Sequence, residues 1–97
     1  MADPVQLSPR LEARIRRDFA PSEAAAACGR LLSLQLALAE KQSLERIQAA
    51  IVLLAQGDLA KLEEAASLAE RDWRDVLIWS GLGHGDWEAG LEEELGP

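Results

Sequence analysis

The sequence predicts an all-α fold: a compact bundle of five to six short helices, making a single domain over residues 1–97. Three observations carry this. Apolar side chains recur at three- and four-residue spacing, as in Leu11, Ile15 and Phe19, which builds one greasy stripe on a helix. β-Branched residues are few, and no stretch alternates apolar and polar as a half-buried strand requires. Proline, glycine and aspartate fall between the periodic segments, where helices start and stop.

Residues 1–7 are expected to be flexible. Ser8-Pro9 reads as an N-cap followed by proline at the first helical position, where its missing N–H costs nothing. Leu11, Ile15 and Phe19 then line one face. Pro21 ends this helix, and Ser22 is placed to cap the next with Glu23 in its first turn. The second helix is expected over 23–41, with Leu31, Leu32, Leu34, Leu36 and Leu38 spread over more than half its circumference. A third, 44–56, closes on Gly57, a natural left-handed cap. Leu44, Ile47, Ile51 and Leu54 share one side of it, with Val52 and Leu53 outside that stripe. A helix apolar nearly all round belongs at the centre of a bundle or against a partner. Asp58 caps a fourth helix, 59–70, whose Leu59, Leu62, Ala66 and Ala69 face inward. The Gly-Asp connection is so short that the third and fourth helices must be close neighbours.

The run RDWRDVLIWSGLGHGDWEAGL, residues 71–91, holds all three tryptophans and the single histidine. Asp72-Trp73 and Asp86-Trp87 are each followed by leucine four residues beyond the tryptophan. Both aspartates suit an N-cap, accepting from the orphan amides of a first turn at the positive end of the helix dipole. Helices are therefore predicted at 73–80 and 87–95, linked through Gly81. Trp73, Val76, Leu77 and Trp79 occupy one broad arc expected to close the core, with Ile78 on the opposite side. Trp87, Leu91 and Leu95 form the stripe of the last helix. Glu92, Glu93 and Glu94 sit at its negative end, so that end is expected to fray, together with residues 96–97.

Composition narrows the function. With 48% hydrophobic and 28% charged residues, the chain is of globular type. Cys28 is the lone cysteine, so no intrachain disulfide forms, and one cysteine with one histidine cannot build a four-ligand zinc site. No charged-then-apolar leader opens MADPVQLSPR. The longest apolar stretch, Ala24 to Ala39, contains Arg30 and falls short of the ~20 residues a membrane span needs. A cytoplasmic location is expected. Residues 1–41 carry six basic and five acidic side chains, residues 42–97 four basic and twelve acidic, for a net −7. So acidic a half repels phosphate backbones and anionic membranes.

The stretch ERIQAAIVLLAQGDLAKLEEAASLAERDWRDVLIWSGL, residues 45–82, resembles a segment of small uncharacterised bacterial proteins. In these an R-I-x-x-A-I/V-L helix precedes G-D-L, then D-W-R-D-V/L-L and a small-residue close. The matching positions include Arg46, Ile47, Ala50, Gly57, Asp58, Leu59, Asp72, Trp73, Arg74, Asp75, Leu77 and Gly81. The resemblance covers about two fifths of the chain, departs at Trp79 and Ser80, and implies a bacterial all-helical protein with no assigned activity. The Asp-Trp-Arg start also resembles a late helix of death-fold domains, an analogy of architecture alone.

No catalytic constellation appears, so no enzyme activity is expected, and no cofactor or metal. His84 lies between two glycines with no nucleophile to serve. Gly81, Gly83 and Gly85 follow no strand and bring no lysine, so they read as a cap and a turn, not a phosphate cradle. Glu63-Glu64 and Glu92 to Glu94 lack calcium-loop spacing. Cys28, among alanines, reads as a small core hydrophobe. The helices at 59–70 and 73–80 could mimic a helix-turn-helix, but Asp72 and Asp75 stand where base readout wants cations. Two candidate sites remain. Arg10, Arg14 and Arg17 form a basic stripe at helical spacing, able to meet the acidic C-terminal half of this chain or another copy. Arg74, Ile78 and Trp79 are of types enriched where partners bind. The sequence thus predicts a small protein–protein interaction module, binding a protein partner or itself. The alternative is nucleic-acid or acidic-partner binding through the arginine stripe.

Overall fold

In the computed structural model, which describes residues 7–35, 44–83 and 85–96, five helices follow in chain order. They are α1 (Pro9–Asp18), α2 (Pro21–Leu32), α3 (Leu44–Ala55), α4 (Leu59–Ser80) and α5 (Trp87–Leu95). No strand occurs among the described residues, and the Cα radius of gyration is 12.5 Å, as a well-packed chain of this length gives. The fold is an all-α bundle.

Its punctuation is largely local chemistry. Ser8 accepts the Leu11 amide at 3.3 Å and Pro9 takes the first helical position. Asp58 Oδ1 accepts the amides of Ala60 at 2.9 Å and Lys61 at 3.2 Å. Gly81 closes α4 in the left-handed region at φ 86°. α4 runs across both predicted segments, yet Asp72 sits inside it at φ −157° and ψ 96°. There the aspartate accepts the Arg74 amide at 3.1 Å, so α4 is two helical segments joined at a capped kink.

Three expectations are corrected. Ser22 does not cap α2: Pro21 is already its first residue and Ala20 precedes it, because the fixed proline φ suits a helix start. Asp86 makes no side-chain cap to α5; its backbone carbonyl accepts from Ala89 and Gly90 instead. The second helix stops at Leu32 and does not run to 41. The Ser33 hydroxyl donates to the Arg30 carbonyl at 2.9 Å, and the Gln35 amide donates to Glu70 at 3.0 Å, which draws the chain away from the helical path. Leu34 is therefore non-helical, and Leu36 and Leu38 lie outside the described residues.

α3 is the centre. It packs on α1, α4 and α5, most extensively on α4, and buries Ile47, Ala49, Ala50, Ile51, Val52 and Ala55. Around it close Leu11 and Ile15 from α1 with Phe19 at its C-cap, Leu62, Ala66, Ala69, Val76 and Leu77 from α4, and Leu91 from α5, while Ala27 and Leu31 of α2 extend the core where α2 packs on α1 and α4. Many of these are alanines, which let helix axes approach closely. Trp79 does not close the core as its sequence arc predicted: it is 67% exposed. Val76 and Leu77 are buried and Trp73 is packed against the core. Trp79 falls about 60° beyond Val76, at the outer edge of that arc.

Ion pairs between helices hold the bundle's ends. Arg30 of α2 binds Glu63 at 2.8 Å and Glu70 at 2.7 Å, both on α4. Arg10 of α1 forks onto Glu45 of α3, with contacts of 2.9 and 2.7 Å. The Arg30 hydrogen bond, then the Gln35 amide, hold the Glu70 carboxyl below its ordinary value. The Arg10 hydrogen bond, aided by the Ser8 hydroxyl and opposed by burial, does the same for Glu45. Both groups thus bind protons more weakly folded than unfolded. Their contribution is complete above the unfolded value of 4.5 and is lost as pH falls through the depressed folded values. Thermal melts should show wild type losing stability between about pH 5 and pH 3. The Glu45→Gln and Glu70→Gln variants should lose less over that interval. Parallel pH profiles for all three would contradict the assignment.

Candidate functional site

The basic stripe and the tryptophan face occupy different parts of the molecule's chemistry. Along α1, Arg10 and Arg14 point at the chain's own acceptors. Beyond its fork on Glu45, Arg10 donates to the Gly96 carbonyl at 3.3 Å. Arg14 donates to Asp18 at 2.8 Å, to the Glu94 carbonyl at 2.7 Å and to the Glu94 carboxylate at 3.4 Å. Two guanidinium groups therefore sit on the negative end of α5, which offsets the acidic residues there. That helix is regular through Leu95. Arg17 is mostly exposed, 3.6 Å from Asp18, and Arg16 pairs with Glu12 on the surface at 2.7 Å.

Arg14, Arg17, Asp18 and Glu94 also line a polar cleft of about 630 Å³, with Leu53, Gln56 and Ser80 opposite. Its cations and carboxylates compensate each other, and it contains no nucleophile held by a base. Arg46 binds across another junction: it donates to the Leu82 carbonyl at 2.8 Å and lies 4.7 Å over the Trp87 ring, a cation–π contact. Burial lowers its pKa. Arg46 thus ties α3 to the α4–α5 link, a structural duty. Cys28 is half-buried, and burial raises its pKa, which disfavours the thiolate. Among the described residues no cluster of metal-ligating side chains forms, and no helix is long and apolar enough to cross a membrane. His84 lies outside the described residues.

The second half of α4 carries the other site. Arg74, Ile78 and Trp79 are all exposed, Ile78 at 66% and Trp79 at 67%. Arg74 folds back onto Asp72, with Nε–Oδ1 3.0 Å and Nη2–Oδ2 3.1 Å, which lowers the Asp72 pKa. Arg74 and Ile78 are one turn apart on the same ridge. Trp79 also forms one wall of a groove of about 350 Å³, completed by Leu54 of α3 and by Lys61, Glu64, Ala65 and Leu68 of α4. Sequence reading named the tryptophan but missed the groove. The one signal was Leu68, which lies off the stripe of Leu62, Ala66 and Ala69 that meets α3.

Comparison with known protein families, curated proteins and solved structures returns no match. What the fold and site define is a class by architecture alone: a five-helix all-α bundle with a tryptophan-walled surface groove.

Proposed function

We propose that this chain is a protein–protein interaction module whose contact surface is the face formed by Arg74, Ile78 and Trp79 and the groove beside it. The observation that carries this is the indole of Trp79, two thirds in solvent next to an equally exposed Ile78. Hydrating so much apolar surface on neighbouring residues is unfavourable, and tryptophan is among the side chains that contribute most when a partner covers them. The core does not need either residue, since Val76 and Leu77 fill the inward arc of the same helix. The motif resemblance supports a bacterial setting. The arginine stripe supports nucleic-acid binding less well, because Arg10 and Arg14 are engaged within the chain.

The test is comparative capture from the native cell with wild-type, Trp79→Ala and Ile78→Asp chains immobilised in parallel. A partner retained by wild type and lost from both variants is the expected result. Capture that ignores both substitutions, or that disappears with modest added salt, would overturn the reading.

A further inference from the structure

We infer that the occupant of the Trp79 groove is a second copy of this chain, docked antiparallel so that the two α4 helices cross beside Leu68. This deepens the interaction reading and rests on it. Charge complementarity identifies the occupant. Arg10, Arg14, Arg16, Arg17, Arg30 and Arg74 each have a carboxylate partner within the chain, and Arg46 lies on a carbonyl and a ring. Among the described residues, the cations left without such a partner are Lys61 and Arg71, both exposed on α4. Glu64, exposed on the same helix, has no cation either. Both unpaired cations therefore lie on the helix that carries the groove, with Glu64 beside them, whereas other carboxylates without an ion pair, such as Glu23, Glu88 and Glu93, stand on α2 and α5.

Their spacing is self-complementary. Glu64 precedes Leu68 by four residues and Arg71 follows it by three, so all three lie along one face of the helix. In a two-fold contact, residue i meets residue j and j meets i. An antiparallel crossing at Leu68 sets each Glu64 opposite the other copy's Arg71, twice. It also brings Leu68 and the Trp79 wall of one copy against those of the other, covering the apolar floor. A tenth of the 6040 Å² surface is about 600 Å² per copy, at the low end of specific interfaces. The expected dimer is correspondingly weak and reversible.

Sedimentation equilibrium of the full chain over a wide concentration range tests this with two variants. Glu64→Arg places arginine opposite Arg71 in its own homodimer, and Arg71→Glu places glutamate opposite Glu64. Each alone is expected to weaken association at least about tenfold, as is Trp79→Ala. Mixing the two charge variants in equal amounts is expected to restore it, because the introduced arginine then faces the introduced glutamate and the retained pair also matches. Circular dichroism on each variant confirms folding; both positions are exposed and unpartnered, so the bundle should be intact. A wild-type chain that remains monomeric throughout, or a mixture that restores nothing, overturns the proposal. If the chain is monomeric yet Trp79-dependent capture persists, the second copy is ruled out while the interaction reading stands. If both are absent, both fall.

Discussion

Replacing Gly57 by alanine is expected to remove about 3 kcal/mol of folding stability and to lower the thermal midpoint by more than about 10 °C. Two effects add. Gly57 occupies the left-handed region at φ 78°, where a Cβ costs roughly 1 kcal/mol. A Cβ there would also lie 2.5 Å from the Asp18 carbonyl oxygen. That oxygen belongs to the backbone end of α1, so the corner between α3 and α4 or the whole end of α1 must shift. Gln56, also left-handed at φ 51°, already adds strain at the same corner. Gly81 is the control. It has φ 86° and open space, with nothing within 4 Å of where a Cβ would sit. Gly81→Ala should therefore cost only the conformational part, about 1 kcal/mol. Equal losses at both glycines would show that the approach of the corner to α1 is not tight.

The second large effect is expected in the central helix. Ile51 is fully buried in α3, which packs on three other helices. Ile51→Ala removes transfer free energy and leaves a cavity that surrounding helices can collapse into only partly, for a loss of about 3 kcal/mol. A domain of this size holds roughly 5–10 kcal/mol in all, so a substantial share of its stability would go. Urea titration should show a lower midpoint at an unchanged slope. A loss under about 1 kcal/mol would place the core elsewhere than around α3.

Both effects arise at positions legible in the sequence, for different reasons. Gly57, Gly81, Ser8, Asp58 and Asp72 act on amides and carbonyls within a few residues, so their local pattern suffices to read them. The end of α2 was not legible, because the group that takes the Gln35 amide is Glu70, far along the chain. Asp86 had the right residue type for a cap, but its backbone, at φ −95° and ψ 25°, is not in the extended form an N-cap usually needs. The sequence places Trp79 both in the core-closing arc and among the candidate contact residues, because a broad apolar arc does not reveal where its buried edge lies; only packing against α3 decides that. Charge asymmetry foretold that α1 could meet the acidic C-terminal half of the chain. That Arg10 and Arg14 reach the last carbonyls of α5 depends on a helix–helix approach that spacing does not encode. The groove is not legible in the sequence, because Leu54 and Leu68 belong to different helices.

The bundle is complete without Trp79, which leaves that side chain free to meet a partner. Chemical unfolding of Trp79→Ala, at a dilution where the chain is monomeric, tests this most directly. A stability within about 0.5 kcal/mol of wild type is the expected result, as for exposed positions generally. A loss comparable to that of Ile51→Ala would contradict it and return the indole to the core.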